Sequence, residues 1–338
     1  MKTLKLALIG CGNVGKGFID MLALRQEYIQ EKYDTEVLIT AVCTRRLGGY
    51  TDPAGIDMKT VRGDSFDRLL GSMDVIDHAD YDVMVELTPL NIRTGQPAID
   101  HIRHAILRGK HVITANKGPI AWSYRALADL AEEKGVHFLY EATLMDGVPV
   151  YNLVRETLQG CRITAVSGIF NATTNYILGE MEAGRTFEEA IASGREQGFV
   201  EADPSMDIDG WDAAAKLTAL MNVVMDAGIT PDAIDCTGIG ELSAEDIVAA
   251  AENGQRYKLL CRGSADPETG RISGVVAPEL VDSDSIYSSM NGTCSCVTFT
   301  TDLMGDVTMV EHPFEPEINH TAYGILSDLL RLLTELNR

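Results

Sequence analysis

The densest chemistry in the chain lies in the run GFVEADPSMDIDGWDAAAKL at 198–217. It holds the carboxylates Glu201, Asp207 and Asp212, with Asp203 beside them, and one lysine, Lys216. Asp212 and Lys216 stand four residues apart, so on a helix they share a face. Their neighbours Ala213, Ala214, Ala215, Leu217 and Leu220 are apolar, which predicts a partly buried charge pair. Carboxylates in a group suit a substrate that carries an ammonium. A lysine, with an ordinary pKa of roughly 10.4, suits proton donation at neutral pH and needs burial or a second cation to act as a base. The same residues also fit a solvated acidic loop followed by a helix with a surface ion pair. Asp207, Asp209 and Asp212 weakly resemble a calcium loop, but the spacing is wrong for an EF-hand.

A second constellation opens the chain. Residues 10–15 read GCGNVG, with Gly10, Gly12 and Gly15 around Asn13 and Val14. The motif follows a strand-like run and opens a helix-like one, the context in which it binds a dinucleotide. The first glycine permits the turn, the second lets the pyrophosphate approach, and the third lets helix and strand pack closely. An NAD ribose needs a carboxylate at the end of the second strand. Here that strand ends in Cys43-Thr44-Arg45-Arg46, while Asp34 and Glu36 stand at its start. Arg45 and Arg46 match a 2′-phosphate, so NADP is expected over NAD.

Elements must position these residues. Strands are expected at Leu4–Ile9, Val37–Cys43, Val83–Leu87, His111–Thr114 and His137–Tyr140. Helices are expected at Asn13–Gln30, Phe66–Leu70, Gln96–Leu107 and Ser123–Lys134. Continuous apolar strands alternating with helices predict a parallel sheet covered on both faces. The second half is α+β. Cys161–Phe170 and several runs in Gln255–Thr301 read as strands. Thr173–Glu182, Thr186–Glu196, Trp211–Ala227, Ser243–Asn253 and a last helix from about Asn319 read as helices. Thr186 and Glu189 form a capping-box pattern, and Ala322, Ile325, Leu329 and Leu332 make an apolar stripe on the last helix.

Composition excludes several classes. The chain has 338 residues, 45% hydrophobic and 23% charged, which fits a folded two-domain protein. Its net charge of −22 disfavours nucleic acid as a partner and leaves room for a local cationic pocket or a salt-adapted surface. No signal peptide or spanning segment is evident, so neither export nor a membrane partner is expected and the cytoplasm is. The seven cysteines read as reduced thiols, and Cys294-x-Cys296 lacks the partners of a zinc set.

Four segments together resemble the homoserine dehydrogenase family: GCGNVGKG at 10–17, TANKGP at 114–119, GIFNATTNYIL at 168–178, and the acidic run at 198–217. LSAEDIVAAAENGQRYKLL at 242–260 and TTDLMGD at 300–306 extend the resemblance almost to the C-terminus. It implies NAD(P)-dependent interconversion of L-homoserine and L-aspartate 4-semialdehyde in threonine and methionine biosynthesis. It implies a Rossmann-type dinucleotide-binding domain over 1–145, completed by 305–338, and an α+β substrate-binding and dimerisation domain over 146–304. Lys216 would then transfer the proton, with Lys117 assisting and Asp212 orienting it. Glu201 would bind the substrate ammonium, Asp207 would complete the amino-acid site, and Thr173 and Gly168 would lie along the pocket. Thr88 and Pro89, with Asn116 and Lys117, would border the nicotinamide. A sodium site would use the Glu141 carboxylate and the carbonyls of Leu144, Asp146 and Val148. A homodimer without an appended ACT domain is expected.

The chain departs from the family pattern twice. Asn171-Ala172-Thr173 stands for N-G-T, and VEHPFEPEINHTAYG at 310–324 stands where a glycine-rich turn is usual. Glu311, Glu315 and Glu317 disfavour a nearby phosphate. A related amino-acid dehydrogenase and a catalytically silent NAD(P)-binding sensor are the alternatives.

Overall fold

A computed structural model of the chain describes residues 1–61, 70–312 and 318–338, apart from the side chains at 58 and 318. The helix expected at 66–70 and the acids Glu315 and Glu317 fall outside the described residues, Leu70 excepted. Two compact units form, divided between Pro149 and Val150.

The first unit is a six-stranded sheet in the order β3-β2-β1-β4-β5-β6. Its strands are β1 (Lys2–Ile9), β2 (Thr35–Thr44), β3 (Gly48–Thr51), β4 (Val83–Glu86), β5 (His111–Thr114) and β6 (Phe138–Leu139). All pair in parallel except β3, which folds back antiparallel on β2. The strands are mostly apolar because helices cover both faces: Leu4, Leu6, Ala7 and Leu8 of β1 are all buried. The last helix, Ile318–Leu336, buries Ala322, Ile325, Leu329 and Leu332 in one cluster with Phe18, Leu22 and Ile29 of the Asn13–Tyr33 helix. Asp328 of that last helix, also buried, accepts the Glu141 backbone N–H at 2.8 Å.

One helix begins earlier than the sequence implies. It runs Lys117–Lys134 rather than from Ser123, where the backbone kinks. Gly118-Pro119 reads as a breaker, yet a proline in the first helical turn forfeits no hydrogen bond. Asn116 caps that turn, its Oδ1 accepting Gly118 N–H at 3.0 Å.

The second unit is a six-stranded, largely antiparallel sheet in the order β12-β11-β7-β9-β10-β8. These are β7 (Ile163–Ile169), β8 (Ile234–Cys236), β9 (Gln255–Ala265), β10 (Ile272–Asp282), β11 (Ser295–Thr301) and β12 (Gly305–Glu311). Because β12 pairs with β11 in full register, residues 305–311 belong to this sheet and not, as the expected 305–338 division has it, to the first unit. The last helix joins the first unit's core. The helices Ala172–Glu182, Trp211–Val224 and Ala244–Glu252 pack against β9. Trp211–Val224 is buried on most faces, as its composition implies, and Gly263 of β9 and Gly274 of β10 leave room for its Met221. The Thr186 capping box forms, with Glu189 N–H to Thr186 Oγ1 at 3.2 Å and Thr186 N–H to Glu189 Oε2 at 2.9 Å.

All seven cysteines are free thiols. Burial pushes Cys43, Cys236 and Cys296 up to about 11, so they stay protonated and unreactive at neutral pH.

Candidate active site

In the first unit the loops after β1, β4 and β5 emerge from strands that are direct neighbours. The strand order reverses at β1, where an open α/β sheet binds its ligand. Gly10 turns the chain at φ +102°, and a Cβ there would lie 2.4 Å from the Leu87 carbonyl oxygen. No other residue can hold that turn against the β4 loop. A Cβ on Gly12 would meet nothing within 4 Å, so open space stands where a pyrophosphate has to approach. A Cβ on Gly15 would come 3.3 Å from Leu87 Cδ1, the close helix-to-strand packing the third glycine is for. Gly12 caps the Asn13–Tyr33 helix with no side-chain partner, and the first turn carries no acid. Asn13 is exposed and Val14 half-buried at this terminus. Backbone N–H groups at such an end, without a competing carboxylate, suit a dinucleotide phosphate.

Arg45 and Arg46 are both exposed in the turn between β2 and β3, closed by Leu47 N–H donating to Thr44 Oγ1 at 3.0 Å. Thr88 and Pro89 follow β4. Asn116 Nδ2 donates to the Thr88 carbonyl at 3.1 Å, joining the β4 and β5 loops. Lys117, half-buried, is the first residue of the capped helix.

Past β6, Glu141 is buried at 2% exposure in a short turn. Met145 and Asp146 both adopt positive φ, near +50°, which non-glycine residues seldom do. The Asp146 carboxylate accepts from Thr321 Oγ1 at 2.6 Å, and Val148 N–H returns to the Met145 carbonyl at 2.9 Å. Leu144 is buried beside them.

The second unit brings the acidic run onto the end of β7. Lys216 and Asp212 lie on one helical face with Nζ 3.0 Å from Oδ2. Lys216 Nζ also donates to the Phe170 carbonyl at 2.7 Å. The Asn171 amide lies between two carboxylates, donating to Asp207 Oδ1 at 2.6 Å and to Asp212 Oδ2 at 2.9 Å. Its Oδ1 caps the Ala172–Glu182 helix by accepting Thr174 N–H at 2.8 Å and also accepts the Thr174 hydroxyl at 2.9 Å. One short side chain therefore fixes both acids and the helix that carries Thr173. Ala172 is accommodated at the first helical position, where its methyl needs no special backbone.

The sequence reading did not place Asn171 in the site. The signal was present, since Asn is a preferred N-cap and stands two residues before the helix start expected at Thr173. Its second use, as a bridge between acids 36 and 41 residues away, has no local trace.

Two expected site residues, Glu201 and Gly168, take no part in these hydrogen bonds. Glu201 is exposed, and its backbone carbonyl accepts from Arg195 Nε at 3.3 Å. Gly168 is buried in β7, and a Cβ there would lie 2.1 Å from the Cys296 carbonyl of β11. Its lack of a side chain answers to strand packing. Glu311, one of the acids in the departing segment, ends β12 and accepts from Ser295 Oγ at 3.0 Å.

A dinucleotide fold, joined in one chain to a lysine–carboxylate cluster, defines an NAD(P)-dependent dehydrogenase of a small amino-bearing substrate. The sequence profile described as "Homoserine dehydrogenase, NAD binding domain" matches residues 10–141, and that described as "Homoserine dehydrogenase" matches 149–330. A homoserine dehydrogenase of Methanocaldococcus jannaschii is 36% identical, covering 97% of this chain and 98% of the relative. An NAD(+)-dependent homoserine dehydrogenase of Pseudomonas canavaninivorans is 34% identical, covering 98% and 97%. The crystal structure of a homoserine dehydrogenase from Thiobacillus denitrificans superposes with a TM-score of 0.84 at 29% identity, over 98% of this chain and 74% of that one. The chain belongs to the homoserine dehydrogenase family. No helix among the described residues is long and apolar enough to cross a membrane.

Proposed function

We propose that this chain interconverts L-homoserine and L-aspartate 4-semialdehyde, with Lys216 moving the proton at the substrate's C4 oxygen. The observation that carries the reading is the Lys216–Asp212–Asn171–Asp207 array. The GCGNVG turn would hold the dinucleotide, which when bound would accept or donate the hydride. The rest is done by side chains. The Phe170 carbonyl and Asp212 hold the Lys216 nitrogen in one place, which turns proton transfer into a positioned step. Asp207 and Asp212 favour a cationic amino group, and Glu201, exposed on the same run, is assigned to the substrate ammonium. Thr173 lines the site from the helix that Asn171 caps. Thr88, Pro89 and Asn116 border the nicotinamide end, and Lys117 assists from the capped terminus.

The cofactor is assigned as NADP in preference to NAD. Arg45 and Arg46 are exposed at the end of β2, with no carboxylate in the turn. Each charge-assisted contact is worth about 1.5–3 kcal/mol, so an Arg45→Ala, Arg46→Ala double variant should lower the NADP/NAD ratio of kcat/KM at least about tenfold. A wild-type enzyme favouring NAD, as the name of the Pseudomonas canavaninivorans relative indicates for that protein, would remove the assignment.

A sodium ion is assigned to the Glu141 turn, where a buried acid precedes two positive-φ residues. The ligands would be the Glu141 carboxylate and the carbonyls of Leu144, Asp146 and Val148. Replacing sodium by choline at constant ionic strength should lower the melting temperature of the wild type and leave Glu141→Gln unmoved. Equal curves for the wild type in the two salts would rule the site out.

The assembly is assigned as a homodimer through the second sheet. Trp211–Val224 covers one face. On the other, Arg262 stands opposite Ser167 and Val275 in register, with Arg262 and Val275 exposed. Sedimentation should give twice the chain mass of 36.7 kDa at micromolar concentration. A stable monomer there would refute it.

A further inference from the structure

Glu86 ends β4 fully buried, and none of the roles assigned above uses it. Its Oε1 accepts the Thr88 backbone N–H at 3.2 Å and the Thr88 hydroxyl, and faces His101 Nδ1 at 3.4 Å. Its Oε2 accepts the Thr114 hydroxyl at 3.4 Å. His101, buried on the Ala98–Leu107 helix, meets Ser72 Oγ through Nε2 at 2.8 Å. On the other side, Asn116 N–H donates to Thr114 Oγ1 at 3.0 Å while Asn116 Nδ2 holds the Thr88 carbonyl. The chain Ser72–His101–Glu86–Thr88–Asn116 thus runs from the partly exposed Ser72 to the cap of the helix that starts at Lys117. Leu87, between Glu86 and Thr88, is the segment that Gly10 and Gly15 abut.

A carboxylate is an expensive residue at this position. In register Glu86 lies between Ile9 of β1 and Thr114 of β5, where a valine or leucine would pack without desolvating a polar group. Four groups converge on its two oxygens instead, and they come from the loops and elements around the β4 end. A buried polar network satisfied in this way fixes one arrangement of the segments it joins.

We propose that Glu86 and His101 are positioning residues for the dinucleotide site, acting through Thr88 and Asn116. They hold the walls of the nicotinamide end in place before the cofactor arrives, so less ordering is left for binding to supply. The inference rests on the assignment of Thr88 and Asn116 to the nicotinamide border.

The test is calorimetric titration of NADP+ and NAD+ into the full-length wild type, Glu86→Gln, His101→Gln and Ser72→Ala. Homoserine KM and melting temperature are measured alongside. Glu86→Gln should weaken dinucleotide binding about tenfold, His101→Gln less, and Ser72→Ala least, with the homoserine KM within about twofold throughout. If Glu86→Gln does not fold, His101→Gln is judged by the same criterion. Dinucleotide affinities within about twofold of wild type would overturn the proposal. So would losses in dinucleotide affinity and homoserine KM that move together with melting temperature, because that is the mark of general destabilisation. A wild type that binds neither dinucleotide would overturn the site assignment underneath it, which separates that failure from this one.

Discussion

Lys216→Ala is expected to lower kcat by about 10² to 10⁴ while dinucleotide affinity stays within about twofold. Lys216 is the cation of the acidic cluster, held by the Phe170 carbonyl at 2.7 Å and by Asp212 at 3.0 Å. Removing it takes away the group assigned to carry the proton to and from the substrate oxygen. Its partners Phe170 and Asp212 belong to the second unit, while the glycine turn and the helix terminus behind it belong to the first, so cofactor affinity should be kept. The check is steady-state kinetics in both directions, with homoserine and with the semialdehyde, together with direct titration of the dinucleotide. Retention of near wild-type kcat would take the proton-transfer role away from Lys216. A matching loss of cofactor affinity would show that the change had disturbed more than the proton.

The second large effect is expected at Asn171. Asn171→Ser keeps an N-cap acceptor for the Ala172–Glu182 helix, so stability should change little. The shorter side chain cannot span Asp207 and Asp212, and the two carboxylates are left without the amide between them. Loss of hydrogen bonds to charged groups costs about 1.5–3 kcal/mol, so kcat/KM for homoserine should fall about ten- to a hundredfold. Asn171→Asp should cost more than Asn171→Ser. It also preserves the cap but adds a third acid where the amide donated at 2.6 and 2.9 Å, and like charges at that range repel. Kinetics and a thermal melt on the same two variants decide the matter. If Asn171→Ser kept wild-type kcat/KM, the amide would be only a helix cap. If Asn171→Asp were no worse than Asn171→Ser, the charge argument would be wrong.

The two acids and the amide show where sequence reasoning reaches its limit. Asp212 and Lys216 could be paired from spacing alone, because a helix repeats every 3.6 residues and i, i+4 side chains must meet. The GCGNVG turn could be placed because its glycines answer to local needs: a positive φ, an open approach and a close packing contact. The parallel sheet followed from apolar strands alternating with helices, and the capping box at Thr186 from three residues of local pattern. Each of these leaves a pattern that is legible within a few turns of chain, even where, as for Gly10 and Gly15 against Leu87, the contact it serves is distant.

What only the tertiary structure decided involves partners distant in sequence. Gly168 is one: a Cβ there would face a carbonyl of a strand paired from more than a hundred residues away. Gly305–Glu311 was expected with the C-terminal helix in the first domain. Its backbone hydrogen bonds go to β11, and ladder pairing outweighs chain proximity. Asn171 was visible as a cap but not as a bridge, and Glu86 was visible only as a polar residue ending an apolar strand. The composition and periodicity of this sequence determined which elements form and which residues carry charge. The fold alone determined which of those charges meet, because a buried polar group must find its partner wherever packing brings one within hydrogen-bonding distance.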